Sequence, residues 1–208
     1  MSETLRDILM YFVVPVWLVA GFADWLCHRA SHIATTAGPR ESLIHLLMFA
    51  EVGIPLLGAI FFDVNALVIL VMIVAFFAHE ATALWDVTYA SGHREVTPIE
   101  QHVHSFLELV PLMALVLMVS LHWDQFLALF GAGPQAARFE LALRSEPLPR
   151  TYVVALFTAI AVFELLPYLE ELWRGIKATR RGTGRRVRAA AGGPVGPEPD
   201  YVKNAAVE

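Results

Sequence analysis

The sequence predicts an all-α, polytopic membrane bundle of four to five transmembrane helices. Three observations predict it. Hydrophobic residues make up 57% of the 208 and charged residues 17%, with a mean hydropathy of +0.56, where a soluble domain carries about 25% charged residues. The apolar residues fall into runs of roughly 20, the length of helix that crosses a bilayer. The basic residues fall between those runs or beyond them: eight of the fifteen Lys and Arg lie at or after Arg174.

The first run extends from about Ile8 to Leu26. Gly38-Pro39 closes the segment after it. The second runs from about Ser42 to Phe62 and contains Glu51. The third runs from about Val64 to Trp85, and only Asp63 and Asn65 interrupt the path from the second, so the two form a tight antiparallel hairpin. Ser91-Gly92 is a stop signal after the third. Thr97-Pro98-Ile99-Glu100 reads as a helix start, with a Thr cap, Pro at the first helical position and Glu three residues past the cap. His102 and His104 therefore belong to a helix. The fourth run extends from about Phe106 to Phe130 and the fifth from about Thr151 to Trp173, with Glu164 and Pro167 inside it. Residues 1–174 form the transmembrane domain, and the basic, then Gly- and Pro-rich residues 175–208 read as a disordered tail.

Basic residues mark the cytoplasmic ends of membrane helices. The tail therefore predicts a cytoplasmic C-terminus, an N-terminus on the other side of five spans, and residence in the inner (plasma) membrane. The same basic run lacks interleaved aromatics, which argues against a nucleic-acid partner. Cys27 is the only cysteine, so no internal disulfide forms, and no cleavable signal peptide is expected.

On this topology seven of the eight histidines fall on one side. His28 and His32 lie at the end of the first run, His45 at the start of the second and His79 towards the end of the third. His93, His102 and His104 lie between the third and fourth. Only His122, beside Trp123, goes to the other side, as an interfacial anchor. Carboxylates follow the histidines. Asp24, His28 and His32 are spaced by four and share a helix face; His79 and Asp86 are seven apart; Glu100, His104 and Glu108 are again spaced by four. Ionisable groups at membrane depth are costly, and are paired or functional. Imidazole and carboxylate ligands suit zinc, iron, manganese or nickel, and the number of histidines exceeds one four-coordinate ion. Structural readings stand beside these: Glu100 as the capping partner, Glu164 as an interhelical contact at Pro167, and either His102 or His104 turned away, because their helix angles differ by about 200°.

His28-Arg29-Ala30-Ser31-His32 resembles the first His-x3-His box of the histidine-box integral-membrane di-iron hydroxylases and desaturases. Pro98-x5-His104-Ser105-Phe106-Leu107-Glu108 is similar to a Pro-x5-His-Asp-Phe-x-Glu segment of the plasmanylethanolamine desaturase family. The resemblance covers two short windows. It implies two irons, oxygen activation, and hydroxylation or desaturation of a lipid-like substrate, with electrons from a separate donor. It implies His28, His32, His45, His79, His93, His102 and His104 as metal ligands, with Glu51 or Glu108 as carboxylate ligands, and Asp24, Glu80 and Asp86 orienting the imidazoles. The alternatives are an intramembrane zinc hydrolase acting on a lipid, or a non-enzymatic metal- or haem-binding membrane protein.

Overall fold

A chain in hydrocarbon must satisfy its backbone hydrogen bonds internally, and the helix does so segment by segment. The computed structural model, which describes residues 2–190, is accordingly helical, and five of its helices are long and apolar enough to span a membrane. Helix α1 covers Ser2–Ala30, α2 Pro39–Phe61, α3 Ala66–Ser91 and α4 Pro98–Leu121. A short α5, Trp123–Ala128, follows. The last helix, α6, is assembled from Arg150–Ile160, Ala161–Leu165 and Leu166–Ala190. This is an integral membrane protein by fold. Large apolar side chains are exposed on the helix flanks, Leu84 at 72% and Phe77 at 64%, while Glu41, Glu100 and Glu171 are fully buried.

Local signals set the helix ends, Thr97 as the sequence predicts and Asn65 in a role that its place in the hairpin did not announce. Asn65 caps α3 through its side-chain oxygen, which accepts from the amides of Leu67 and Val68. Thr97 caps α4, its hydroxyl accepting from Glu100 N at 3.2 Å. Gly38, at φ +75°, sits in a backbone region closed to most side chains and turns the chain into α2. The 62–65 hairpin is tied to the long loop before α6: Asp63 N donates to Ala142 O, and Asn65 Nδ2 to Glu140 O.

The helix boundaries differ from those of the apolar runs in both directions. α3 continues past Trp85 to Ser91, and α4 begins at Pro98 rather than Phe106. Hydropathy falls where His, Asp and Glu enter, but the backbone ladder continues because those side chains turn into the bundle. α4 ends at Leu121, and His122 breaks the ladder before Phe130. The last helix also continues past residue 174 to Ala190, where the sequence reading has a disordered tail; the rest of that tail lies outside the described residues.

Prolines shape four of the spans. A proline has no N–H to offer the carbonyl four residues back. Before Pro15 and before Pro167 the chain adapts with one π-helical turn, Leu9–Val13 and Ala161–Leu165. Pro55 and Pro111 leave the carbonyls of Glu51 and Leu107 without their helical donors. Apolar packing holds the centre and far end together, around Val13, Trp17 and Val110 and around Val64, Ile69, Met72 and Met118.

Candidate metal centre

The polar residues meet at one end of the bundle. Asp24 and His28 come from the last turns of α1, Glu41 and His45 from the start of α2, and Asp86 from the end of α3. Glu100 and His104 come from the start of α4, and Glu171 from α6. All eight are buried. Asp24 and His28, and Glu100 and His104, are each one helical turn apart, so each pair projects inward together.

Glu171 organises the centre. Its two carboxylate oxygens accept from His28 Nδ1 at 2.9 Å and from His45 Nδ1 at 3.0 Å. The rings stack in parallel, with centroids 4.4 Å apart and planes 9° apart. A carboxylate accepts only, so both Nδ1 atoms carry a proton, and in the neutral ring each Nε2 then presents a lone pair on the far side. Those lone pairs meet further oxygens. His28 Nε2 lies 3.3 Å from Asp24 Oδ1 and 3.5 Å from Glu100 Oε1. His45 Nε2 lies 3.2 Å from Asp86 Oδ1. His104 Nε2 approaches the same Asp24 oxygen at 2.9 Å.

These contacts are close but not directed as hydrogen bonds. Asp24 Oδ1, Asp86 Oδ1, His28 Nε2 and His45 Nε2 are all buried without a hydrogen-bond partner. Such groups are rare and costly. The charge balance points the same way. Asp24, Glu41, Asp86, Glu100, Glu164 and Glu171 are buried together, and Arg94 is the only arginine or lysine, among the described residues, bonded to any of them. Protonating His28, His45 and His104 would still leave an excess of carboxylate. A cation resolves both difficulties. Ligand atoms bound at about 2.0–2.2 Å to one ion stand roughly 3–3.6 Å from each other, which matches the Nε2–Oδ1 separations. Asp24, His28 and His104, and likewise His28, Glu41 and His45, offer ligand atoms within 4.8 Å of one another.

Arg94 closes the end of the basket. It lies between α3 and α4, and its side chain is buried. Nε and Nη2 donate to Glu41 at 3.1 and 2.6 Å, while Nη1 and Nη2 donate to Glu100 at 2.9 and 2.5 Å. Burial disfavours its charge, but the bonds to Glu100 and Glu41 outweigh that and raise its proton affinity above the usual guanidinium value.

The remaining residues divide. His79 is buried on α3, about 10 Å deeper than Asp86 by helical rise. Its Nδ1 lies 3.8 Å from Glu51 Oε2, and Glu51 Oε1 accepts from Thr82 at 2.8 Å. Glu108 and Glu80 are half-buried, and Glu108 lines the same small cavity as His79. Glu51 stays with His79 in this deeper region, whereas the cavity that His79 and Glu108 line also reaches Asp24, His45, Asp86 and His104. His32, His93 and His102 are exposed and outside the basket. His32 is in the turn after α1 at φ +54°; His93 Nδ1 donates to Tyr89 O at 2.7 Å; His102 packs on Phe106. Of the two histidines of the α4 pair, His104 is the one turned inward.

Glu41, Arg94 and Glu171 are functional candidates that sequence reasoning missed. Glu41 precedes His45 by four residues, a legible signal. Glu171 follows Glu164 by seven, on the same face. Arg94 carries no sequence signal, since a lone basic residue between spans looks like any loop charge. Glu164 and Tyr168 also reach the site: they line a cavity of about 40 Å³ with Asp24, His45, Asp86 and His104. The Glu164 carboxylate packs on the bare backbone of Gly21, in the space that a Cβ would fill.

A membrane-spanning bundle with a buried His/Asp/Glu basket able to hold a metal ion is the class that fold and site define. In comparisons with protein-family models, with curated proteins and with solved structures, nothing matches the chain.

Proposed function

We propose that this protein is a membrane-embedded, metal-dependent oxidoreductase, a hydroxylase or desaturase that acts on a lipid-like substrate with two irons. The observation that carries this reading is the pair of parallel imidazoles, each facing its own aspartate: His28 with Asp24, and His45 with Asp86. The ring separation of 4.4 Å is close to the roughly 3.5–4 Å between ions in two-metal centres. His104, Glu100 and Glu41 add donors around the pair, and Glu171 fixes both ligand tautomers from behind, the role that an outer carboxylate commonly plays. The irons would supply oxygen activation. The chain's own part is to hold them, to exclude water and to bring the substrate past His79 and Glu51. The basic C-terminal region favours a cytoplasmic basket in the plasma membrane, within reach of a separate electron donor.

A second reading has one observation in its favour. Three histidines share the basket, not seven, and three imidazoles with one carboxylate suit a single zinc. That ion would supply an activated water for hydrolysis of a lipid ester or amide.

One experiment separates them. The protein is purified from cells grown with iron and zinc, and its metals are quantified by elemental mass spectrometry, with His28→Ala and His45→Ala alongside. About two irons per chain, lost in both variants, supports the oxidoreductase. About one zinc moves the assignment to the hydrolase. Absence of stoichiometric metal refutes both.

A further inference from the structure

A second cavity, of about 330 Å³, runs through the bundle away from the metal basket. Its walls are apolar, drawn from α1, α2, α3, α4 and the start of α6. Along α2 it extends from Glu51 to Ile60, about 14 Å by helical rise. Trp17, Val52 and His79 line both this cavity and the small polar one. The two spaces therefore meet at His79, with the basket on one side and the long apolar space on the other.

The far end is not apolar. Arg6, Arg144, His122 and Tyr152 line it, and Glu3 is the one acid there. Arg144 is fixed in place: Nη1 donates to Ala59 O at 2.8 Å and Nε to Glu146 O at 3.0 Å. Both acceptors are neutral carbonyls, and among the described residues neither Arg144 nor Arg6 is in an ion pair. The cavity is thus an apolar space with a net positive charge at one end, two arginines against Glu3, and a His–carboxylate pair at the other. Its volume lies at the lower end of small-molecule sites, roughly 300–1,000 Å³, which suits one alkyl chain and not two.

We propose that this cavity holds a single-chain anionic amphiphile, its charged head at Arg144 and Arg6 and its chain running to Glu51 and His79. The part of the substrate presented to the metal basket is then the far portion of the chain, and the head is recognised at the opposite membrane face. This rests on the lipid-like substrate proposed above and names its class. The head is a carboxylate or a phosphate, since an arginine pair accepts either.

The test measures saturable binding of radiolabelled laurate, lauroyl lysophosphatidate and dodecanol to the full chain in phosphatidylcholine nanodiscs, with metal content determined on the same samples. Binding of at least one anion is expected. Laurate alone identifies a carboxylate head and lysophosphatidate alone a phosphate head. Ala114→Trp and Ala75→Phe, which fill the cavity from α4 and α3, are each expected to weaken it at least about tenfold. Arg144→Gln is expected to weaken the anions by about tenfold and leave dodecanol unchanged. No saturable anion binding, binding that survives both filling variants in folded protein, or an equal loss of dodecanol in Arg144→Gln each overturns the proposal. Retained metal with no binding sinks this inference alone, whereas binding with the expected variant pattern but no metal sinks the metal-dependent reading alone.

Discussion

Glu171→Ala removes the side chain that accepts a hydrogen bond from both stacked histidines. Two bonds of 2.9 and 3.0 Å disappear, and two buried N–H groups lose their acceptor. Each unpaired buried donor costs about 1–3 kcal/mol. Removing the carboxylate also lessens the excess negative charge of the basket, so the metal-free protein loses less than the two bonds would indicate. Metal affinity has no such relief. Loss of an orienting carboxylate lowers affinity by about 10–100-fold, equivalent to roughly 1.4–2.7 kcal/mol. Glu171→Gln sharpens the expectation. Its amide oxygen can serve one Nδ1, but its NH2 faces the other, and that imidazole must move its proton to Nε2 and cease to be a ligand. The assay is titration of the metal-free protein with ferrous iron and with zinc, followed by thermal unfolding with and without metal. Ala is expected to weaken all binding, and Gln to lower the stoichiometry. Wild-type affinity and stoichiometry in both variants would refute the idea that the Nε2 faces bind metal.

Further outcomes concern Arg94, Gly21 and the exposed histidines. Arg94→Ala should destabilise by about 3–5 kcal/mol, because Glu41 and Glu100 are left buried and uncompensated; Arg94→Lys should recover only part of this in thermal unfolding, since an ammonium cannot fork to two carboxylates. The raised proton affinity of Arg94 contributes stability that is complete below the ordinary guanidinium range and is lost only as pH rises beyond it, so thermal unfolding of wild type minus Arg94→Ala should not vary through neutral pH on account of the arginine itself. In Gly21→Ala the new Cβ would stand 2.6 Å from Glu164 Cδ, which should cost about 1–3 kcal/mol, and the double variant Gly21→Ala/Glu164→Ala should restore the melting temperature. Ala substitutions at His93 and His102 should leave metal content unchanged and stability within about 0.5 kcal/mol, while His32→Gly, which relieves a left-handed backbone at φ +54°, should be neutral or stabilising.

The spans were legible because lipid imposes a simple length and polarity rule, and the cap at Thr97 marks one end locally. The site was legible in part for the same reason: His28, His45, His104, Asp24 and Asp86 sit where an ionisable residue has little to gain from lipid. What could not be read was rotation about each helix axis. His102 and His104 lie two residues apart, and packing alone decided that His104 faces inward. His32 follows His28 by four residues, yet the helix stops at Ala30, so the shared face that the spacing implies is never formed. Glu171 was obscured by its neighbour Glu170, which pairs with Arg174 at the surface; a Glu-Glu pair at a helix end resembles ordinary solvated charge. Arg94 depended wholly on tertiary structure, because a loop residue has no face to assign.

The carboxylate shared by the two imidazoles also bears on how the chain is made. Synthesis delivers α1 and α2 first, with their histidines and acids, and α6 last. An acidic residue near the middle of an isolated span costs roughly 2.5–3.5 kcal/mol to insert, and α6 brings both Glu164 and Glu171. Its partners, Gly21, His28 and His45, are by then already in the membrane. Insertion of the final segment and completion of the centre are therefore one event, and a ribosome stalled before residue 150 would leave a set of unoriented rings in a bundle that has yet to receive its keystone.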